Sequence, residues 1–201
     1  CADKIGLATV YRNLSLAYYN KQGDAKSARE AMEKAFAMDS TDARVFFELD
    51  QLYKSINLTV KERLENMESH SELLEKRDDL YTEYITLLNL NGEYENAYNR
   101  IMSHQFHPWE GGEGKIPAQY RISLMNMAKK ADKNKAIELL NMALVYPHNL
   151  GEGKLIGNLD NDIYYMLGCL YGNDEKAQEM YRLAARGEFG LSSAMYYNDQ
   201  P

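Results

Sequence analysis

Five segments of the chain repeat one spacing, in which a small or medium residue is followed at +4 and +7 by residues on the same helical face. They are Ala28/Met32/Ala35, Arg63/Met67/His70, Ala97/Ile101/His104, Ala136/Leu140/Ala143 and Ala177/Tyr181/Ala184, and their first members lie 35, 34, 39 and 41 residues apart. A period in that range marks stacked supersecondary units, each too small to bury its own apolar face. Ahead of each segment stands an i, i+4 pair: Leu14/Tyr18, Leu49/Tyr53, Tyr84/Leu88, Ser123/Met127 and Leu167/Tyr171. An aromatic precedes each pair by three residues, at Tyr11, Phe46, Tyr81, Tyr120 and Tyr164. Every unit therefore predicts two amphipathic helices. Turn residues separate them: Gly23-Asp24, Asn57-Leu58-Thr59, Asn91-Gly92, Ala131-Asp132 and Gly172-Asn173-Asp174. Thr59 with Glu62 reads as a capping box and Asp132 as an N-cap.

This pattern resembles the tetratricopeptide repeat, a helix-turn-helix unit of about 34 residues with an aromatic, Leu, Gly, Tyr, Ala, aromatic, Ala, Pro series. The stretch 11–39 carries it well, and so does Tyr164-Tyr165-Met166-Leu167-Gly168-Cys169-Leu170-Tyr171. Two units depart from it: Arg63 takes the place of a small residue, and Ser123 that of a Leu. The resemblance implies an all-α fold, a right-handed α-α superhelix of about five helix pairs. Its units fall at 4–40, 41–76, 77–116, 117–157 and 158–190, within one repeat domain spanning 1–201. First helices would line the concave side, and the 16 tyrosines would sit mostly between helices with their hydroxyls at the edge.

Composition narrows the function. Thirty Asp and Glu against 23 Lys and Arg give a net charge of −7, which argues against affinity for nucleic acid or anionic membranes. The longest apolar run, 163–171, is about half a membrane span. Two cysteines make no disulfide framework, and Cys169 within that run reads as a buried thiol. No leader pattern precedes the first helix, so the chain is expected to be an excised segment of a longer protein. The alternative, a lipidated Cys1, would call for a polar tether that the early helix leaves no room for. The compartment reads as cytoplasmic, with the periplasm as the alternative.

The two long intervals have one cause. Phe106-His107-Pro108-Trp109-Glu110-Gly111-Gly112-Glu113-Gly114-Lys115 follows the third unit, and Tyr146-Pro147-His148-Asn149-Leu150-Gly151-Glu152-Gly153-Lys154 the fourth. Both join an aromatic, Pro and His to Gly-Glu-Gly-Lys, 39 residues apart. A standard connection needs a few residues, so about five have been inserted twice at equivalent sites. Neighbouring repeats should set the two inserts side by side on one edge. His107, Trp109, Glu110, Glu113, Lys115, His148, Asn149, Glu152 and Lys154 are thus candidates for a ligand site. The competing reading makes them a splice, with Glu and Lys capping helices and Trp109 plugging a gap.

Sharper chemistries fail on spacing. Neither Gly-Lys is preceded by Gly at the phosphate-loop position or followed by Ser or Thr. A zinc site from His107, His148 and a glutamate, or a glycosidase pair from Glu113 and Glu152, lacks supporting residues. No catalytic residue and no cofactor are expected.

The first insert, together with residues 77–89 and 196–201, also resembles the C-terminal repeat region of very large bacterial proteins whose N-terminal domain, of unknown function, is associated with carbohydrate. The resemblance implies that any catalytic domain lies upstream. Two roles follow. One is a scaffolding module whose concave lining of Arg12, Tyr19, Phe47, Gln51, Lys54, Thr82, Asn89, Arg121, Tyr165 and Cys169 meets a protein or peptide, or another domain of its own polypeptide. The other is an accessory region of a carbohydrate-processing enzyme, with the inserts contacting a glycan.

Overall fold

A computed structural model describes residues 7–152 and 159–186. All regular structure among them is helical: α1 (Ala8–Ala17), prolonged by a π-helical turn over Tyr18–Gln22, α2 (Ala25–Met38), α3 (Ala43–Ser55), α4 (Val60–Glu68), the single turn α5 (Ser71–Leu74), α6 (Asp78–Leu90), α7 (Tyr94–Ser103), α8 (Lys115–Lys130), α9 (Lys133–Ala143), a 3-10 turn at His148–Leu150, α10 (Leu159–Tyr171) and α11 (Glu175–Ala185). The chain divides into two compact units, Cys1–Asn91 and Gly92–Pro201. The division falls on the Asn91-Gly92 turn, inside the repeat expected at 77–116.

In the 1–91 unit the helices pack in chain order: α1 on α2, α2 on α3, and α6 against α3 and α4. The repeat positions explain why. Ala28 and Ala35 have no exposed surface, and Met32 has almost none, because their small volumes let α1 and α3 approach α2 from both sides. The Ser15 hydroxyl uses that closeness to donate to the Ala28 carbonyl at 2.7 Å. Phe46, Leu49, Tyr53, Tyr81, Tyr84 and Leu88 are all buried, so in α3 and α6 the aromatic and the i, i+4 pair form the core they were expected to form. In α1 and its π-helical turn, Tyr11 is buried while Leu14 and Tyr18 are half-buried.

The turns are closed by side chains. Asp24 accepts from the Ser27 amide, Asp42 from Arg44 and Val45, and Thr59 and Glu62 complete a reciprocal capping box. Each supplies an acceptor to helix N–H groups that otherwise have none. Thr59→Ala is expected to destabilise the 1–91 unit by about 1 kcal/mol, read as a lowered urea midpoint with unchanged slope.

The 92–201 unit repeats the scheme. α8 packs on α7 and α9, α9 on α10, and α10 on α11. Ala97, Ile101, Ala136, Leu140, Ala143, Ala177 and Ala184 are buried at the helix contacts. Asp132 and Asp174 cap α9 and α11 through the amides of Asn134, Lys135 and Ala177.

His70, His104 and Cys169 depart from the sequence reading. His70 and His104 do not lie on the second helices, since α4 ends at Glu68 and α7 at Ser103. At the first, the Ser69 hydroxyl donates to the Asn66 carbonyl and competes with the helical bond, so the chain breaks and His70 packs against the rings of both Phe36 and Phe46. Cys169 is exposed rather than buried. Its neighbours Leu167 and Gly168 face the interior, and one further step of about 100° turns the thiol outward.

Candidate functional site

On the 1–91 unit, the first helices α1 and α3 lie side by side and are tied at both ends of their contact. Arg12 forms a forked ion pair with Glu48, which Arg44 also reaches at 3.3 Å. The bond to Glu48 holds the Arg12 guanidinium above its ordinary pKa. Further along, the Tyr19 hydroxyl donates to the Ser55 carbonyl at 3.3 Å. Between these ties runs a groove of about 250 Å³ lined by Ser15, Leu16, Tyr19, Asn20, Glu48, Gln51 and Ser55. Leu16 stands 43% exposed there. Phe47 is half-buried, and Lys54 is exposed with its ammonium 3.0 Å from Glu83. The structure thus brings Arg12, Tyr19 and Gln51 to one face.

Behind that face lies a charge network that sequence reading missed. Arg63, in the slot where other repeats carry alanine, is only 4% exposed. Its Nε and Nη2 donate to Asp50 at 3.0 and 2.6 Å, and Nη2 also reaches Glu83 at 2.7 Å. Asp50 is wholly buried, and burial pushes its carboxyl up against the pull of Arg63. Glu83 is shifted the other way: burial opposes ionisation, but its bonds to Arg63 and Lys54 prevail and lower its pKa. The signal was available, since an arginine on a buried helical face demands a carboxylate opposite it.

On the 92–201 unit the two inserts do meet. The Phe106 amide donates to the Asn149 carbonyl at 2.8 Å, and the Asn149 side-chain amide donates to the carbonyls of Ile101 and His104 at 2.7 and 2.9 Å. Asn149 therefore closes the C-terminus of α7 from 45 residues away, which is why the chain turns at His104 instead of continuing the helix. Glu152 accepts from the Gly114 amide at 2.7 Å, at the N-cap of α8. Phe106 and Leu150 are each 1% exposed beneath these bonds. Gly112, with no side chain, lets the half-buried Trp109 ring lie against its backbone.

Of the insert candidates, Asn149 and Glu152 are thus engaged within the fold. His107, Glu110, Glu113, Lys115 and His148 are exposed, and Lys154 lies outside the described residues. Tyr146, His148 and Glu152 border an open hollow of about 590 Å³. Among the described residues, no group of three His, Cys, Asp or Glu side chains is placed to hold a metal ion.

The remaining first-helix candidates divide. Arg121 is 3% exposed and faces inward, 2.8 Å from Asp160 and donating to the Tyr146 hydroxyl at 2.9 Å. It holds α8, α10 and the second insert together and presents no charge to solvent. Thr82 and Asn89 are also buried. Tyr165 is half-buried, its ring 5.9 Å from that of Tyr181. No helix among the described residues is long and apolar enough to cross a membrane.

No family model matches the chain. Among solved structures, it is similar to one described as "Functional Characterization of Pseudomonas Aeruginosa pilF", at 16% identity and a TM-score of 0.45 over 94% of this chain and 79% of that one.

Proposed function

We propose that the chain is a protein-interaction module that receives a segment of a partner polypeptide along the α1/α3 groove. The observation that carries this is the groove's construction. The backbones of α1 and α3 are self-satisfied, two cross-helix ties fix their spacing, and an exposed Leu16 stands among the polar groups of Tyr19, Asn20 and Gln51. An apolar anchor among hydrogen-bonding side chains on a rigid helical support is what a peptide needs to be held in register. Its resemblance to the repeat region of large bacterial proteins supports a module acting within a longer polypeptide, where the partner is another chain or a neighbouring domain.

A photo-crosslinker placed at Asn20 tests this. Leu16→Asp is expected to abolish the crosslinked product while leaving helicity unchanged, because Leu16 contributes little to the core. A crosslinking pattern indifferent to Leu16→Asp would reject the groove. The accessory glycan role has weaker support, since Asn149 and Glu152 spend their polar groups on the fold. Glu113→Gln with Glu152→Gln is expected to leave glycan-array signals of the longer protein unaltered.

A further inference from the structure

A second surface, on the 92–201 unit, has features that packing does not explain. Residues 129–135 hold four lysines and one aspartate, on a chain of net charge −7. Lys129 and Lys130 occupy the last turn of α8, where cations complement the helix dipole. Lys133 and Lys135 occupy the first turn of α9, where cations oppose it, and no acidic residue stands in that turn. The nearby carboxylate, Asp132, is committed to its cap bonds with the amides of Asn134 and Lys135. Lys135 reaches Glu138 at 2.9 Å across an exposed pair, and Lys133 makes no ion pair among the described residues. This placement weakens α9 locally, and the exposed Lys135–Glu138 pair returns little to the fold.

Two of these lysines, Lys130 and Lys135, line a groove of about 480 Å³. Met127 and Leu139 supply apolar surface and Tyr94 a wall, with the Lys130 ammonium 4.7 Å from the centre of the Tyr94 ring. Glu93 and Glu95 border the opposite side, so the groove is positive along the α8/α9 lip alone. We infer that this groove docks a segment of a partner protein in which acidic residues flank an apolar one, the acids meeting Lys130 and Lys135, with Lys133 adding to the positive field, and the apolar side chain resting on Met127 and Leu139. Charge complementarity argues for that occupant. The apolar floor answers only a side chain that can enter it, which a bare polyanion lacks.

The test is selection of a random displayed dodecapeptide library on the full chain. Selected peptides are expected to be enriched in Asp and Glu adjoining Leu, Met or Phe, and to bind more weakly as salt rises. Lys130→Gln/Lys133→Gln/Lys135→Gln should weaken them at least tenfold while the thermal midpoint holds or rises, because α9 sheds two opposing cations. A merely structural role for the lysines would lower that midpoint instead. Lys129→Gln and Leu16→Asp should leave binding unchanged, which separates this surface from the α1/α3 groove. The inference is overturned if acidic peptides are not enriched, if the triple variant binds them equally, or if a twelve-residue oligothymidylate competes as well as the peptides.

Discussion

Arg63→Ala is expected to destabilise the 1–91 unit by about 3–5 kcal/mol, enough to bring a marginal domain close to unfolding. The loss comes less from the missing attraction than from what remains behind. Asp50 has no exposed surface, and Arg63 supplies both of its guanidinium hydrogen bonds. Without Arg63 the carboxylate stays desolvated and loses that countercharge, while Glu83 retains Lys54 at the surface. The sign of the pH response follows. With Asp50 held above its unfolded value, its own contribution to stability is present at low pH and lost as pH rises through the folded value. Arg63→Ala raises that value further, so the variant should regain stability as pH falls from neutrality toward about 5. Urea titrations at both pH values measure this, and a variant equally destabilised at each would refute the account. The double change Asp50→Leu/Arg63→Met should cost far less than Arg63→Ala, since it removes both buried charges together.

The other large effect is expected at Gly151. Its φ is +71°, and a Cβ built there would lie 2.4 Å from the Phe106 carbonyl oxygen, a backbone atom that cannot swing aside. Gly151→Ala must shift one insert away from the other, taking with it the Phe106–Asn149 bond and the closure of α7. The combined backbone strain and overpacking should cost about 3 kcal/mol or more in the 92–201 unit. Gly111→Ala is the matched control: its φ is +74° and nothing lies within 4 Å of the added carbon. That variant should lose only the left-handed strain, about 1–2 kcal/mol. Equal losses at the two positions, measured by thermal or denaturant unfolding, would mean that docking of the inserts contributes nothing.

The sequence alone determined the helices, their inward faces and most of their ends. Ala28/Met32/Ala35 and Phe46/Leu49/Tyr53 are buried where a 3.6-residue period places them, and Thr59, Glu62 and Asp132 cap where local chemistry requires it. These features depend on residues within one turn of each other, so a linear reading reaches them. The tertiary structure decided what each inward residue meets. Arg63 finds Asp50 and Glu83, Arg121 turns in toward Asp160, His70 leaves its helix for two phenylalanines, and Asn149 closes a helix end far back along the chain. A period says which side of a helix is covered and is silent on which distant side chain covers it, because that depends on how whole helices settle against one another.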